Sequence, residues 1–263
     1  RWPGKFKPGA HQIVMAEFLT LHRRGFNLSE MGTEKTAAAL WAADWLMENK
    51  HIRKVLIVAP LSTLERVWLS EIFAVLMHRR AGIVHGSREY RLDMLRMDMD
   101  FYIINPTGLA IDSVRKAITA RGDIDLVIVD EASTYCNAST RQYSALAKLL
   151  QPQQRLWLLT GTPCSNAPTD AWALARLVSP ERVPKYFGAF RQQTMQQLTQ
   201  YKWSPKPDST RIVYEALQPA VRFRKEDCKD LPPVTVSARD CPLTTEQTKA
   251  LNAMRKEMQV ELR

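Results

Sequence analysis

The sequence predicts an α/β fold, a parallel sheet with helices on both faces, joined to a helical insertion or extension. Two observations carry this prediction: short apolar runs alternate with helical patterns, and each run is continuous rather than alternately polar and apolar. A continuous apolar strand is typical of a sheet that helices cover on both faces. Repeated strand–helix–strand order then builds a parallel sheet through right-handed crossovers.

The strands are predicted from apolar runs at residues 55–59, 82–84, 101–104, 126–129 and 156–159. A shorter run at residues 25–28 is accepted as a further strand because the segment after it requires one. Helical patterns lie between the runs, at about residues 36–48, 64–77, 113–120 and 139–150. Ligands of such sheets bind beyond the carboxyl ends of the strands.

The chain divides into three predicted parts. Residues 1–167 form the sheet core, residues 168–235 a helical insertion that returns to it, and residues 236–263 a linker helix. The pattern is helical from about residue 168 to 220, with a loop at residues 201–209 because of two prolines there. Thr244 or Thr245 is predicted to cap the last helix.

Composition narrows the class of partner. A net charge of +10, from 37 Lys and Arg against 27 Asp and Glu, suits a polyanion. No apolar run is long enough to cross a membrane, so we expect no membrane partner. The four cysteines match neither a zinc pair nor a short disulfide framework. We expect a monomer in a bacterial cytoplasm or a virus's host cell, or in the nucleus if the source is eukaryotic.

A candidate phosphate-binding loop leads into the helix at residues 36–48. Its residues are Met31, Gly32, Thr33, Glu34, Lys35 and Thr36. Such loops hold phosphates with backbone N–H groups and a lysine, and magnesium with a hydroxyl, which are roles that Lys35 and Thr36 fit. Glu34 stands where the general pattern has glycine. Because a carboxylate repels phosphate, we expect Glu34 to weaken ATP binding.

Two further segments end neighbouring strands. Asp130 is suited to hold magnesium, and Glu131 to accept a proton from an attacking water. The next strand ends in Thr160, Gly161 and Thr162, whose hydroxyls are suited to hydrogen-bond towards the acidic pair. If Lys35 lies near both carboxylates, the three segments form half of a cleft for ATP and Mg²⁺. If they lie on different sides of the molecule, this interpretation fails.

Taken in order, these segments resemble the Swi/Snf-type DNA translocases of helicase superfamily two, over nearly the whole chain. The matching positions are Pro8, His11, Gln12, Glu30 to Gly32, Lys35, Thr36, residues 59–64, Trp68, Glu71, His85, Gly86, Ile104, Asn105, Asp130 to Ala132, Asn137, residues 160–163, Asn166, Trp172, Leu174, Pro180, residues 222–225, Leu231 to Pro233 and Gln247. The chain departs from the family's motifs at Ser29, Thr33, Glu34 and Ser133.

The resemblance implies the first RecA-like lobe of a DNA-dependent ATPase that uses ATP and Mg²⁺. It implies that Gln12 reads adenine, that Thr36 and Asp130 hold magnesium, and that Glu131 positions water. It places DNA-backbone contacts at Pro60, Ser62, Thr63 and Asn105, with coupling through residues 160–162. The family's arginine fingers lie on a second RecA-like lobe, which should begin where this chain stops. Since such fingers raise rates about 10³- to 10⁵-fold, we expect the lobe alone to hydrolyse ATP weakly or not at all.

Three alternatives stay open at this point. A DNA-binding module that keeps the fold without ATP turnover is favoured by Glu34, Ser133 and the missing lobe. A phosphate-loop kinase or GTPase is a different enzyme class, although a GTPase would need an Asn-Lys-x-Asp motif, which the sequence lacks. An interaction scaffold with vestigial motifs would bind neither nucleotide nor DNA.

Overall fold

A parallel sheet of seven strands lies at the centre of residues 7–228 in the computed structural model. The structure describes these residues and residues 239–261. The chain forms two compact units, Arg1–Lys229 and Asp230–Arg263. The sheet and every candidate site residue belong to the first unit.

The strands are short and, in the main sheet, all run the same way. Over the described residues they are β1 (Arg24–Asn27), β2 (Lys54–Val58), β3 (Ala81–Ile83), β4 (Phe101–Ile104), β5 (Ile124–Asp130), β6 (Arg155–Leu159), β7 (Met195–Gln197), β8 (Trp203–Pro205) and β9 (Ala220–Val221). The order across the main sheet is β3-β4-β2-β5-β6-β1-β9, and every neighbouring pair is parallel. β7 and β8 form a separate antiparallel hairpin.

Helices connect successive strands. Over the described residues they are α1 (Ala10–Leu21), α2 (Lys35–Glu48), α3 (Ser70–Val75), α4 (Arg88–Arg96), α5 (Pro106–Leu109), α6 (Asp112–Arg121), α7 (Arg141–Leu149), α8 (Asp170–Val178), α9 (Phe187–Thr194), α10 (Ser209–Ala216), α11 (Lys225–Cys228) and α12 (Thr245–Glu261). A wide, π-type helix at Leu64–Leu69 leads directly into α3, and single turns lie at Leu61–Thr63, Ala132–Tyr135 and Pro180–Arg182. No helix among the described residues is long and apolar enough to cross a membrane.

Both faces of the sheet are buried, as the continuous apolar runs predict. Leu56 and Val58 of β2 lie in one apolar cluster, and Val55 and Ile57 lie in the other. All four are fully buried. Successive side chains of a strand point to opposite faces, so each face of β2 needs its own layer of helices. The predicted α/β class and the predicted strands are therefore confirmed, including the short strand β1.

The region of residues 168–220 differs from the prediction. It holds three helices, but also the β7–β8 hairpin and β9, and α10 begins at Ser209 within the predicted loop. The hairpin strands have three residues each, too few to show a periodic pattern, and β8 contains the indole of Trp203, over which Arg191 stacks at 4.3 Å. β9 exists because the edge of β1 accepts it: Phe26 N–H donates to Pro219 O at 3.0 Å, and Leu28 N–H to Val221 O at 2.8 Å. Such tertiary pairing overrides local propensity.

The last helix begins where the sequence predicts. Thr244 Oγ1 accepts from the Gln247 N–H at 3.2 Å, and the Gln247 side chain accepts from the Thr244 N–H at 3.0 Å. This reciprocal pair is a capping box, which satisfies two N–H groups at the start of α12. The predicted boundary at residues 235 and 236, and the Leu231 to Pro233 motif, lie outside the described residues.

The strand order determines which loops meet. In a parallel sheet all carboxyl ends share one edge, and here β6 lies between β1 and β5. The loop after β1 is the candidate phosphate loop, β5 ends at Asp130, and Thr160 follows β6. The loop after β6 is therefore expected to lie between the phosphate loop and the acidic pair.

The core makes one prediction about stability. Trp157 of β6 is fully buried, and its indole N–H donates to His22 O at 3.3 Å. We expect Trp157→Ala to lower the free energy of unfolding by about 3–5 kcal/mol, because it leaves a cavity between sheet and helices. Trp45→Ala is the matched control, since Trp45 is 48% exposed and should cost about 0.5 kcal/mol. Urea unfolding followed by far-ultraviolet circular dichroism measures both, and equal losses would contradict this account of the core.

Candidate nucleotide site at the carboxyl edge of the sheet

The phosphate loop joins β1 to α2 through two left-handed residues. Gly32 has φ 82°, and Glu34 has φ 58° and ψ 40° directly before the first residue of α2. Backbone N–H groups at the start of a helix have no partner within the helix, and they attract anions. Glycine adopts left-handed backbone at no steric cost, whereas a residue with a Cβ incurs about 1–2 kcal/mol. Glu34 therefore keeps the loop's shape at an energetic cost.

The remaining loop residues divide into supporting and outward-facing groups. Thr33 is buried, and its hydroxyl donates to Glu30 O at 2.8 Å, so it stabilises the loop from within. Met31 is 74% exposed, and Thr36 is half-buried at the start of α2. Of the three, only Met31 and Thr36 are open to a ligand.

Lys35 lies with the two carboxylates that the sequence assigns to the same site. Its Nζ donates to Glu30 O at 3.0 Å. Burial lowers the pKa of Lys35, while the charges of Asp130 and Glu131 act in the opposite direction and raise it. The three predicted catalytic residues, from the start of α2 and the end of β5, are thus close enough to interact electrostatically.

Asp130 is a buried carboxylate with two donors. Trp68 Nε1 donates to its Oδ2 at 2.9 Å, and the Glu131 N–H donates to its Oδ1 at 3.0 Å. Burial raises the pKa of Asp130, although these two bonds and the Lys35 charge partly oppose that shift. Oxygen ligands are what Mg²⁺ prefers, and a cation would offset the burial of this charge. The carboxylate oxygens of Asp130 therefore fit the role of magnesium ligands.

Trp68 has a role that the sequence did not reveal. The resemblance marked it only as a matching position, whereas its indole is fully buried and donates to Asp130. Trp68 lies in the wide helix at Leu64–Leu69, and such π-type turns occur often at functional sites. The segment after β2 therefore supports the acidic pair as well as facing the carboxyl edge.

Glu131 follows Asp130 in a left-handed conformation, with φ 48°. Burial raises its pKa, the neighbouring Asp130 charge raises it further, and Lys35 lowers it. A carboxylate whose pKa is raised towards neutrality is a stronger base, as general-base chemistry requires. Its position and its electrostatics fit the role of accepting a proton from water.

The segment after β6 contacts the phosphate loop directly. Thr160 is buried, its N–H donates to Asn27 O at 3.0 Å, and the Thr162 N–H donates to Thr160 Oγ1 at 3.2 Å. A Cβ placed on Gly161 would lie 3.4 Å from three backbone atoms of the phosphate loop, Ser29 O, Glu30 Cα and Met31 N. Glycine permits this close approach. The segment after β6 and the phosphate loop therefore lie in close backbone contact.

Gln12 of α1 also reaches this loop. It is almost fully buried, and its Nε2 donates to Glu34 Oε2 at 3.0 Å. The pKa of Glu71 on α3 is raised first by burial and then by the Glu34 charge, so a second carboxylate lies nearby. The Glu34 side chain is thus bonded to the protein beside the loop and adds to a local excess of negative charge.

The segment after β9 completes the wall of the loop, and the general loop pattern gave no signal for it. The Phe223 N–H donates to Ser29 Oγ at 3.0 Å, and the Lys225 N–H donates to Glu30 Oε2 at 3.0 Å. Lys225 Cε would lie 3.4 Å from a Cβ added to Gly32. Only the family motif at residues 222–225 marked this segment, and it did not indicate contact with the phosphate loop.

The residues predicted to contact DNA separate into two groups. Ser62 is exposed on the turn after β2, where Thr63 Oγ1 donates to Pro60 O at 3.0 Å. Asn105 follows β4 but is only 6% exposed. Its side chain bonds Thr107 and accepts from Arg91 at 3.3 Å. The turn at residues 60–63 is open to a ligand, whereas Asn105 is engaged within the fold.

The model described as the SNF2-related domain matches residues 12–262. The chain belongs to this family. The match confirms the resemblance drawn from the motifs. The relatives of this SNF2-related domain include nuclear protein STH1/NPS1 of Saccharomyces cerevisiae, 25% identical over 92% of this chain and 18% of that protein. ATP-dependent DNA helicase DDM1 of Arabidopsis thaliana is 28% identical over 62% of this chain and 22% of that protein.

Solved structures agree with the fold. The SWI2/SNF2 ATPase core of Sulfolobus solfataricus in complex with dsDNA matches with a TM-score of 0.71 at 19% identity, over 86% of this chain and 46% of that one. The core domain of the same source gives 0.67 at 19% identity, over 97% and 52%. The RecA-like fold is therefore confirmed. The SNF2-related domain spans about a fifth of the length of the two relatives named above.

Glu131 makes a prediction about stability and pH. Its pKa is raised in the folded domain, so its charge opposes folding at neutral pH, and that cost disappears as the pH falls through the folded pKa towards the ordinary 4.5. We expect Glu131→Gln to raise the melting temperature at pH 7 by about 1–2 °C, a gain that vanishes below the ordinary pKa. Glu17→Gln on the exposed side of α1 is the control and should change little at either pH. A stability loss at pH 7 would contradict the assigned environment of Glu131.

Proposed function

We propose that this SNF2-related domain is the first lobe of a DNA-dependent ATPase of the Swi/Snf type, and that it binds ATP with Mg²⁺ and the DNA backbone. The observation that carries the proposal is the proximity of Lys35 to Asp130 and Glu131 at the start of α2 and the end of β5. The names of the relatives support it, since DDM1 is described as an ATP-dependent DNA helicase.

Each residue at this edge has a proposed task. Gly32 and the start of α2 offer backbone N–H groups to phosphate, and Lys35 contacts the outer phosphates. Thr36 and Asp130 would hold magnesium, which when bound neutralises charge on the phosphates. Glu131 takes a proton from the attacking water. Thr160, Gly161 and Thr162 transmit movement between the phosphate loop and the acidic pair, because they contact the loop.

Glu34 is proposed to weaken nucleotide binding. A carboxylate about 5 Å from a phosphate charge costs about 3 kcal/mol at an effective dielectric near 20, before screening. Because several phosphate charges add to this repulsion and salt screens it, we expect a net cost of about 2–4 kcal/mol, which corresponds to roughly 30- to 1,000-fold weaker binding. Hydrolysis is further limited in the lobe alone, because the arginine fingers of the family's second lobe are worth about 10³–10⁵ in rate.

DNA is proposed to bind at the turn after β2. Small hydroxyls and loop N–H groups contact phosphates without reading bases, which suits a motor that acts on any sequence. Ser62 and Thr63 carry such hydroxyls, and Pro60 shapes the turn by accepting from Thr63 at its carbonyl oxygen. The chain's net charge of +10 favours the approach of a polyanion. Asn105 is proposed to shape the neighbouring loop, since its side chain is buried.

A second candidate function is a DNA-binding module without ATP turnover. Glu34 favours it, because a carboxylate lies in the loop where phosphates would bind. The two candidates share the fold and the DNA contacts, and they differ only in whether nucleotide binds. We also propose that the chain divides into a RecA-like core at residues 1–167, a helical insertion at residues 168–235 and a linker helix at residues 236–263. Its proposed location is the cytoplasm, or the nucleus if the source is eukaryotic.

Nucleotide binding decides between the two candidates. We expect Glu34→Gly to bind a fluorescent ATP analogue about 30- to 1,000-fold more tightly than the native chain, because the charge beside the phosphates is removed. Adding Lys35→Ala to that variant should abolish the gain, whereas Lys148→Ala, which removes an exposed lysine of α7, should not. Equal affinities for the native chain and Glu34→Gly would refute the role of Glu34. DNA binding without any nucleotide binding would establish the binding module.

The DNA contact has its own test. We expect Ser62→Asp to weaken binding of a short DNA duplex about 5-fold at low salt, since a new charge near a phosphate costs about 1 kcal/mol in water. The difference should narrow as salt is raised. Thr119→Asp, at an exposed position of α6, adds the same charge elsewhere and controls for net charge. An equal loss in both variants, measured by fluorescence anisotropy, would remove the turn after β2 from the DNA site.

A further inference from the structure

The side chains of Gln12 and Glu34 make a contact that glycine at position 34 would not allow. Gln12 Nε2 donates to Glu34 Oε2 at 3.0 Å, and Gln12 Oε1 accepts from the Gly9 N–H at 2.8 Å. A carboxylate must face the amide N–H₂ and an N–H must face the amide oxygen. The two partners therefore fix the orientation of the amide, with its donor end turned to Glu34.

A glutamine amide in this orientation can distinguish purines. It pairs with adenine through two bonds, accepting from the N6 amino group and donating to N7. Guanine presents acceptors at both O6 and N7, so the amide oxygen finds no donor there. The motif resemblance implies that the base of a bound nucleotide meets Gln12, so selectivity for adenine depends on a Gln12 amide that is available to that base.

Gln12 is not available in this structure without a rearrangement. It is 4% exposed, and Glu34 is among the groups that contact it. Glu34 is an exposed side chain at the loop surface, so among the groups that contact the Gln12 amide it is the one that can move away. A base that reaches the amide must first break a hydrogen bond in which the acceptor is charged. Such bonds are stronger than neutral ones.

We propose that Glu34 determines the base selectivity of this nucleotide site, because it occupies the Gln12 amide and so removes the preference for adenine over guanine. The inference rests on the proposed triphosphate site and specifies its substrate class as purine triphosphates in general. Glu34 then has two separable effects. Its charge repels the phosphates of any nucleotide, whereas its bond to Gln12 competes only with a base that the amide can read.

A double-mutant cycle separates the two effects. Fluorescent ATP and GTP analogues are titrated against the native chain, Glu34→Gly, Gln12→Ala and the double variant, with anisotropy as the readout. The native chain should bind both analogues within about 3-fold of each other. Glu34→Gly should tighten both, but ATP by an additional factor of about 10–100, the worth of a charge-assisted hydrogen bond. With Gln12→Ala, removal of Glu34 should tighten ATP and GTP equally.

Two further variants guard the interpretation. Asparagine tolerates the left-handed backbone and carries no charge, so Glu34→Asn should also restore the ATP preference. This variant controls for added mobility of the loop in Glu34→Gly. Glu17→Gln removes an exposed carboxylate from the same helix as Gln12 and should leave the ATP-to-GTP ratio unchanged. Thermal melts establish that each variant is folded.

The outcomes distinguish the inference from the proposed function. If Glu34→Gly tightens ATP and GTP by the same factor, Glu34 acts through charge alone and the inference is overturned, while the triphosphate site stands. A native chain that already prefers ATP more than 10-fold overturns it as well. If no variant binds either analogue, the proposed function itself fails.

Discussion

The attraction between the Lys35 ammonium and the carboxylates of Asp130 and Glu131 is the interaction on which the site depends. Burial alone would favour the neutral form of each group, lowering the pKa of the lysine and raising those of the acids. The lysine charge opposes that tendency in both acids, and the acid charges oppose it in the lysine, whereas the Asp130 charge raises the pKa of Glu131 further. The sheet order makes the arrangement possible, because one strand, β6, separates β1 from β5 at a shared edge.

The same geometry underlies the proposed coupling of the loop to the acids through the segment after β6. It begins at Thr160, whose N–H extends the pairing with β1, and it passes Gly161 against the backbone of the phosphate loop. Neither contact involves a charged group. Trp68 supplies the complementary constraint from the other side, by orienting Asp130 with its indole N–H.

The sequence predicted those elements that depend on short-range patterns. The apolar runs predicted the strands, and Thr244 or Thr245 was predicted as the cap of the last helix, because burial and capping leave short-range patterns. The β7–β8 hairpin and β9 were missed because they contain no apolar run of the kind that predicted β3, and because β9 forms only against the edge of β1. The location of the candidate site at the carboxyl edge of the sheet was predictable. The contacts of Trp68 and Lys225 with it were not, since they join residues far apart in the chain.

Glu34 shows how a loop can keep its shape after losing the residue that its shape favours. Its neighbours hold the turn through contacts that do not involve position 34: Thr33 and Lys35 both donate to Glu30 O, and the Lys225 N–H donates to the Glu30 carboxylate. The left-handed strain is therefore local, and the bond to Gln12 offsets part of it. Strain that the surrounding fold over-determines changes a site without unfolding it. Stability and nucleotide recognition are consequently separable at this position, so an intact fold is no measure of whether the site is competent.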